Sequence, residues 1–150
     1  MQALMTAIVT WLSVNFGLPA DYHHPLVKFV PPAEIASLRN AAPQTGRPAS
    51  HHLLAPGSAD DVLAVYDNRA GAILLQVDWT GVTPADLSIL VHEMVHHLQG
   101  RAGATFACPT ERERLAYAAQ DKWLGLFGTS LRREFDIDAM TLLARTTCSY

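Results

Sequence analysis

The chain has 150 residues, of which 49% are hydrophobic and 17% charged, with a formal net charge of −3. This length suits one domain with its own core, so we predict a single domain over residues 1–150. The basic residues are scattered, which excludes a nucleic-acid surface. No apolar run reaches the roughly 18–20 residues that a membrane span needs. The composition leaves the oligomeric state open.

The first predicted element is an amphipathic helix within Met1–Ala20. The alternative is an uncleaved signal sequence, since the segment is apolar and ends in Leu18-Pro19-Ala20, but it lacks a basic start. A core helix is the prediction, because the apolar residues recur at helical spacing. They are Leu4, Ile8, Trp11, Leu12 and Phe16.

A short strand and a short helix follow. Leu26–Val30 has the β-branched and aromatic residues of a strand, and Ala33–Asn40 is predicted to be a helix that starts after a proline pair. Residues 41–61 are rich in Pro, Gly and Ser and are predicted to form a long loop. Its two histidines, His51 and His52, either line a cleft or, as the composition favours, are exposed.

Two apolar runs, Val62–Tyr66 and Ala72–Val77, flank a turn that ends in Gly71 and predict a β-hairpin. The second strand leads directly into the next helix. If the Ile73–Val77 strand lies at the edge of the sheet, its free backbone groups can pair with an extended peptide.

A helix is predicted over Pro84–Gln99. Thr83 is a typical N-cap residue, proline suits the first helical position, and Gly100 is expected to end the helix. This helix carries the most informative motif of the chain.

The motif is His92-Glu93-x-x-His96. Residues four apart share one helix face, so His92 and His96 can both turn imidazole nitrogens towards one zinc ion. Glu93 lies one step round the helix, where its carboxylate can act as general base towards water activated by the metal. Burying these polar groups in an apolar helix without a ligand would be costly, which favours a metal site over satisfied core residues. His97 lies off this face and is expected to have a supporting role.

Two helices are predicted after the motif. Thr110 and Glu113 have the spacing of a capping box, which predicts a helix up to Leu124. A last helix is predicted over Leu131–Thr147 with a break near Asp136. Its apolar residues are expected in the core: Phe135, Ile137, Met140, Leu142 and Leu143. The predicted class is α+β, a mostly helical domain with a small antiparallel hairpin or sheet beside the motif helix.

A catalytic zinc ion takes three protein ligands and leaves one position open. A metzincin site would need Gly and His where the chain has Gln99 and Ala102. An aspzincin site would need Tyr and Asp where Arg132 and Arg133 stand. A third known solution is a glutamate from the following helix, and Glu113 is a candidate for it.

With this glutamate the chain resembles the gluzincin metallopeptidases. It looks most like the compact bacterial minimal gluzincins and a related family of small uncharacterised proteins. The resemblance covers about residues 66–124: the hairpin, the motif helix, a loop with a cysteine and the helix after it. The matching residues are Leu90–Gln99, Cys108, Glu113, Ala116, Tyr117, Gln120, Trp123 and Leu124.

The resemblance implies a zincin-like fold and one Zn²⁺ per chain, held by His92, His96 and Glu113 with Glu93 as general base. Glu111 is the competing third ligand, because it lies in the same first turn; its alternative role is to complement the helix dipole.

Tyr117 shares the helix face of Glu113. It either takes part in catalysis, by orienting a ligand or donating to an oxyanion, or packs in the core with its hydroxyl hydrogen-bonded. Gln99 and Gln120 receive no role from the sequence.

Cys108 and Cys148 either form one disulfide or remain buried thiols, and the loose segment around Cys148 favours the bridge. A bridge indicates an oxidising compartment, so a periplasmic or secreted location is predicted, with the cytoplasm as the alternative.

The predicted function is zinc-dependent hydrolysis of peptide bonds in a peptide or protein substrate. The alternative is a non-catalytic zinc-binding domain that uses the same site for folding or for binding a partner.

Overall fold

The computed structural model of the protein describes residues 1–40, 50–54 and 62–148, and of residues 38–40, 50–54 and 62 it describes the backbone alone. Within these residues the helices are α1 (Gln2–Phe16), α2 (Pro32–Asn40), α3 (Pro84–Arg101), α4 (Glu113–Gly125), α5 (Leu131–Phe135) and α6 (Ala139–Thr146). The strands are β1 (Leu26–Val30), β2 (Ser50–Leu54), β3 (Val62–Asp67) and β4 (Ala72–Gln76). A 3-10 turn, Pro109–Arg112, precedes α4. The predicted α+β class is confirmed.

The strands form one sheet in the order β1-β4-β3-β2. The predicted hairpin is confirmed, with β3 and β4 antiparallel and Tyr66 opposite Ile73. The sheet is mixed rather than purely antiparallel, because β1 pairs with β4 in parallel. Its chain connection to β4 therefore crosses over through α2, β2 and β3.

The condition for peptide pairing at Ile73–Val77, a position at the edge of the sheet, is not met. β4 lies between β1 and β3, and its residues Ala72 to Leu75 are buried on both faces. A strand with apolar side chains on both faces belongs inside a sheet rather than at its rim. Among the described strands, the edges are β1 and β2.

The loop predicted over residues 41–61 is wrong in part, because residues 50–54 form β2. His51 and His52 lie opposite Tyr66 and Val65 of β3, so their backbone belongs to the sheet. Two polar residues between segments rich in Pro, Gly and Ser do not have the residue pattern of a strand. They become part of a strand because their backbone pairs with β3. Whether their side chains line a cleft lies outside the described residues, as does the remainder of the predicted loop.

The core lies between the sheet and the helices α1, α3 and α4. Met5, Ile8, Val9 and Leu12 of α1 are buried in it, which confirms the predicted core helix. Every residue of α3 from Ser88 to Gln99 is buried, so this helix passes through the middle of the domain. No described helix has the length and apolarity required to cross a membrane.

The start of α3 is fixed by local hydrogen bonds. Thr83 Oγ1 accepts from Asp86 N at 3.0 Å, which confirms the predicted N-cap. The carboxylate of Asp86 in turn accepts from the backbone of Thr80 and Gly81, at 3.1 Å each. These bonds tie the β4–α3 connection to the first turn and so set the rotation of the helix. α3 continues to Arg101, past the predicted end at Gly100.

The predicted break in the last helix is confirmed. Asp136 takes a left-handed conformation with φ 52°, which separates α5 from α6. Phe135 and Ile137 are buried as predicted, but Met140 and Leu143 are 72% and 57% exposed, so their assignment to the core is wrong. The break starts a new helical register, and α6 turns these two side chains towards solvent.

A disulfide joins Cys108 to Cys148, with the two Cα atoms 5.9 Å apart, as the sequence favoured. Cys108 directly precedes the 3-10 turn that leads to Glu113, and Cys148 follows α6. The bridge therefore anchors the C-terminal segment at the beginning of α4.

Removing this bridge should destabilise the domain. The bridge joins residues separated by 40 positions in the sequence. A disulfide that closes a loop of this size stabilises the folded state by roughly 2–4 kcal/mol. We expect the double variant Cys108→Ser/Cys148→Ser to lose about that much free energy of unfolding in a urea titration. Thiol titration of the unreduced, denatured wild type should find no free thiol. Two titratable thiols there would contradict the bridge.

Candidate metal centre

His92 and His96 lie one turn apart on the face of α3 that points towards α4. Both side chains are completely buried, and their Nε2 atoms are 3.2 Å apart. The spacing of four residues brings the two rings to the same side of the helix, as the motif predicted.

Glu113 joins them as the first residue of α4. Its carboxylate oxygens lie 3.1 Å from His92 Nε2 and 3.3 Å from His96 Nε2. The three residues form the metal-binding candidate among the described part of the chain, with ligand atoms all within 4.8 Å of one another. The structure thus brings together the three predicted ligands, from segments 21 residues apart.

The predicted capping box is wrong, and this matters for Glu113. Thr110 Oγ1 donates to Thr147 O at 3.2 Å, and the segment Pro109–Arg112 forms a 3-10 turn instead of the first turn of α4. The carboxylate of Glu113 faces the two histidines.

Glu111, the competing candidate for the third ligand, makes a different contact. Its carboxylate accepts a hydrogen bond from Ala107 N at 2.6 Å and so stabilises the loop before the 3-10 turn. It is not part of the cluster with the two histidines. With three residues per turn, a two-residue step along a 3-10 turn leaves the directions of the two glutamates about 120° apart.

Two glutamines, to which the sequence gave no role, hold the histidine rings. His92 Nδ1 donates to Gln120 Oε1 at 3.0 Å, and His96 Nδ1 donates to Gln99 Oε1 at 3.1 Å. The amide groups are oriented by their other ends: Gln120 Nε2 donates to Ser88 Oγ and Gln99 Nε2 donates to Arg112 O. Both Nδ1 atoms therefore carry the proton, and both Nε2 atoms present lone pairs.

A signal for these glutamines existed in the sequence. Gln99 lies three residues after His96 on one helix face, and Gln120 lies two turns after Glu113. Metal-ligating histidines usually donate their second N–H to an oxygen acceptor. The pairing of each glutamine with its histidine, however, depends on how α3 and α4 pack.

The donor set fits a metal ion. Two imidazole nitrogens and a carboxylate face one point. Zinc bonds of about 2.0–2.1 Å in a tetrahedron place ligand atoms about 3.3–3.4 Å apart. The two imidazole nitrogens here are 3.2 Å apart, and one oxygen of Glu113 lies 3.1 Å from His92 while its other oxygen lies 3.3 Å from His96. Burial lowers the pKa of His92, which favours the neutral ring that a metal requires.

Glu93 is completely buried beside this cluster. Neither carboxylate oxygen has a hydrogen bond of normal geometry, although the backbone N–H of Tyr66 approaches it closely enough to lower its pKa. Burial is the larger effect, and with the charge of Glu113 it raises the pKa of Glu93 well above the usual value. A carboxyl group in this setting readily holds a proton.

Tyr117 packs its ring against His92, with the ring centroids 4.8 Å apart. Its hydroxyl accepts a hydrogen bond from Arg145 Nη1 of α6 at 3.2 Å. Burial raises the pKa of Tyr117 to about 12. The residue therefore supports the ring of a candidate ligand, while a catalytic role for its hydroxyl stays a prediction.

His97 is outside the cluster, on another face of α3. Its Nε2 donates to His23 O at 2.9 Å and its Nδ1 accepts from the Tyr66 hydroxyl at 3.2 Å. Both ring nitrogens are thus used to connect α3 with β3 and with the segment before β1. This is the supporting role expected from the sequence.

The chain belongs to the family described as "Domain of unknown function (DUF6647)", whose model matches residues 1–150. Comparisons with curated proteins and with solved structures gave no match.

Replacing Gln120 should weaken metal binding without touching a ligand. In Gln120→Leu, His92 Nδ1 loses its acceptor, so the ring can turn and the tautomer is no longer fixed. We expect about a ten- to hundredfold loss of zinc affinity, measured by competition with a chromophoric chelator. Gln2→Leu, on the exposed start of α1, is the matched control and should bind like wild type. Unchanged affinity in a folded Gln120→Leu variant would contradict the role of this amide.

Proposed function

We propose that this DUF6647 chain is a zinc-dependent hydrolase of peptide bonds. His92, His96 and Glu113 would hold the ion and Glu93 would act as general base. The observation that carries the proposal is the convergence of two buried imidazole nitrogens and a carboxylate beside a second carboxyl group, Glu93, that is itself completely buried.

The ligand chemistry supports zinc. Two imidazoles and one glutamate form a donor set typical of catalytic zinc sites, which use three protein ligands. Both cysteines near this end of the molecule are tied in the disulfide, so no thiolate competes for the position. Zinc bound there supplies Lewis acidity, which polarises a substrate carbonyl and lowers the pKa of water.

In this proposal, proton transfer depends on the chain's own residues. Glu93 lies next to His92 in sequence and has no strong hydrogen bond to give up, so its carboxylate can take a proton from water and pass it to the leaving amine. Gln120 and Gln99 keep the rings of the two histidines in one orientation throughout. Tyr117 packs against His92 from the other side.

The edge strand β2 supports an extended peptide as substrate. β2 contacts α3 and, among the described strands, is bordered by β3 on one side alone. An extended peptide can add to the outer side of an edge strand through backbone hydrogen bonds. The proposal therefore assigns to β2 the peptide pairing that the sequence analysis considered for Ile73–Val77.

The second candidate is a non-catalytic zinc domain. The complete burial of His92, Glu93 and His96 favours it, because a catalytic site must admit water and substrate. The stability cost of burying Glu93 favours the enzyme instead. A buried carboxyl group without strong hydrogen bonds destabilises a fold. An enzyme tolerates this loss of stability because the carboxyl group takes part in catalysis. Without a catalytic use, replacing Glu93 would only make the protein more stable.

The proposed location is an oxidising compartment, periplasmic or extracellular. The disulfide between Cys108 and Cys148 supports it, because such bridges persist mainly where thiols are not kept reduced. The cytoplasm is the alternative.

The ligand assignment is tested by paired variants. Glu113→Gln and His96→Ala should reduce bound zinc from about one per chain to a small fraction, measured by elemental analysis after gel filtration. Glu111→Gln is the matched control, since this carboxylate binds Ala107 N instead, and it should retain its zinc. Loss of zinc in Glu111→Gln with retention in Glu113→Gln would reverse the assignment.

The role of Glu93 is tested by Glu93→Gln. We expect zinc content to stay at the wild-type level while cleavage of a peptide selected from a mixed library slows by about 10²–10⁴-fold. The free energy of unfolding should rise, because a neutral amide is easier to bury than a carboxyl group. Cleavage at the wild-type rate would remove Glu93 from the mechanism. A wild type that binds zinc but cleaves no library peptide would favour the non-catalytic domain.

A further inference from the structure

A cavity of about 1040 Å³ lies at the C-terminal end of α3. Its walls come from the segment before β1, the β3–β4 turn, the end of α3 and the loop that follows α3. None of the three candidate metal ligands lines it, but Gln99 and Arg112, which adjoin those ligands, do. The cavity is thus a separate space next to the metal centre.

Arg112 is the unusual residue of this cavity. It is 9% exposed, and its Nε–H has no hydrogen-bond partner. The guanidinium lies over the ring of Phe106, with 5.9 Å from Cζ to the ring centroid. Stacking of this kind uses the face of the guanidinium and leaves the N–H groups at its edge for a ligand.

The described lining of the cavity is basic. It includes Arg69, Arg101 and Arg112 together with three histidines, and it contains no aspartate or glutamate. Arg101 is paired with Asp21 at 2.6 Å. Within the described residues, Arg69 and Arg112 have no ion pair, so two guanidinium groups remain without a carboxylate partner within 4.0 Å.

A second polar atom in the wall also lacks a partner. His24 Nε2 donates to Thr6 Oγ1 at 2.9 Å, because the Thr6 hydroxyl itself donates to Gln2 O. Its Nδ1 is buried and makes no hydrogen bond. Buried polar groups are normally satisfied, so two residues of the lining that each leave a buried polar atom without a partner mark an unusual polar environment beside the cavity.

We propose that this cavity binds the carboxylate group of a peptide, with the edge of the Arg112 guanidinium as the anchoring fork and Arg69 as a second cation. A fork of parallel N–H groups matches the two oxygens of a carboxylate. The volume exceeds what an isolated ion needs and is large enough for a few residues of peptide. Phe106 and Ala104 supply apolar wall for the rest of the ligand. The carboxylate comes either from the end of a peptide chain or from an acidic side chain.

The test is calorimetric titration of the full chain with its disulfide intact, before and after treatment with a chelator. The probes are N-acetyl-trialanine, its C-terminal amide and N-acetyl-Ala-Asp-Ala-amide. We expect the free acid to bind at least tenfold more tightly than the amide if the chain end is recognised. If a side chain is recognised, the aspartyl peptide should be the tighter ligand. The same order is expected with and without chelator, so this outcome is independent of any hydrolysis.

Variants then connect binding to the named residues. Arg112→Gln should weaken binding of the preferred probe at least tenfold, since it removes the charge and the fork together. Arg69→Gln, on the exposed wall, should weaken it less and offers a test that does not disturb buried structure. Arg114→Gln, an exposed neighbour, is the matched control and should bind like wild type. Thermal unfolding establishes that each variant is folded.

Three outcomes would overturn the proposal. One is equal binding, or none, of the acid, amide and aspartyl probes to wild type. Another is binding that neither Arg112→Gln nor Arg69→Gln weakens. The third is inorganic phosphate binding as tightly as the peptides, which would identify a site for small anions only. Zinc binding and peptide cleavage can succeed or fail separately from all three.

Discussion

The site depends on two hydrogen bonds, those from His92 Nδ1 to Gln120 and from His96 Nδ1 to Gln99. Each bond fixes the tautomer of a fully buried ring and directs the lone pair of Nε2 towards the other histidine. The two Nε2 atoms are 3.2 Å apart, and in neutral rings their lone pairs would repel one another. Their arrangement becomes favourable when a cation lies between them and Glu113, so the glutamines are as important to a metal centre as its ligands.

The packing of α3 against α4 keeps these bonds in place. α3 is buried from Ser88 to Gln99, and its rotation is set at the start by Thr83 and Asp86. α4 brings Glu113, Tyr117 and Gln120 to the same side, at intervals of three and four residues. The disulfide at Cys108 holds the turn from which α4 begins. The candidate ligand Glu113, the ring of Tyr117 and the amide of Gln120 are therefore held on one rigid face of α4.

Arg112 connects the metal centre with the neighbouring cavity. Its carbonyl accepts from Gln99, the amide that orients His96, while its guanidinium lines the cavity. It precedes Glu113 directly, so the backbone that positions a ligand also positions this cation. Burial lowers the pKa of Arg112, but a guanidinium starts so high that it stays charged. A ligand bound in the cavity would consequently lie close to the candidate zinc site.

Local patterns in the sequence predicted much of this structure. The i, i+4 histidines, the Thr83 cap, the β3–β4 hairpin, the core face of α1 and the break at Asp136 all depend on residues close together in the chain. The choice of Glu113 rested on a resemblance to a family pattern, and the distances now place Glu113 with both histidines.

Tertiary structure decided what local patterns do not contain. β1 became the parallel neighbour of β4, and β2 formed inside a predicted loop. Thr110 bonded to Thr147 instead of capping its helix, which left Glu113 for the histidines. The roles of Gln99, Gln120 and Arg112 arose in the same way. Each depends on groups from segments far apart in sequence, and their meeting is fixed by how the helices and sheet pack, not by the spacing within any one element.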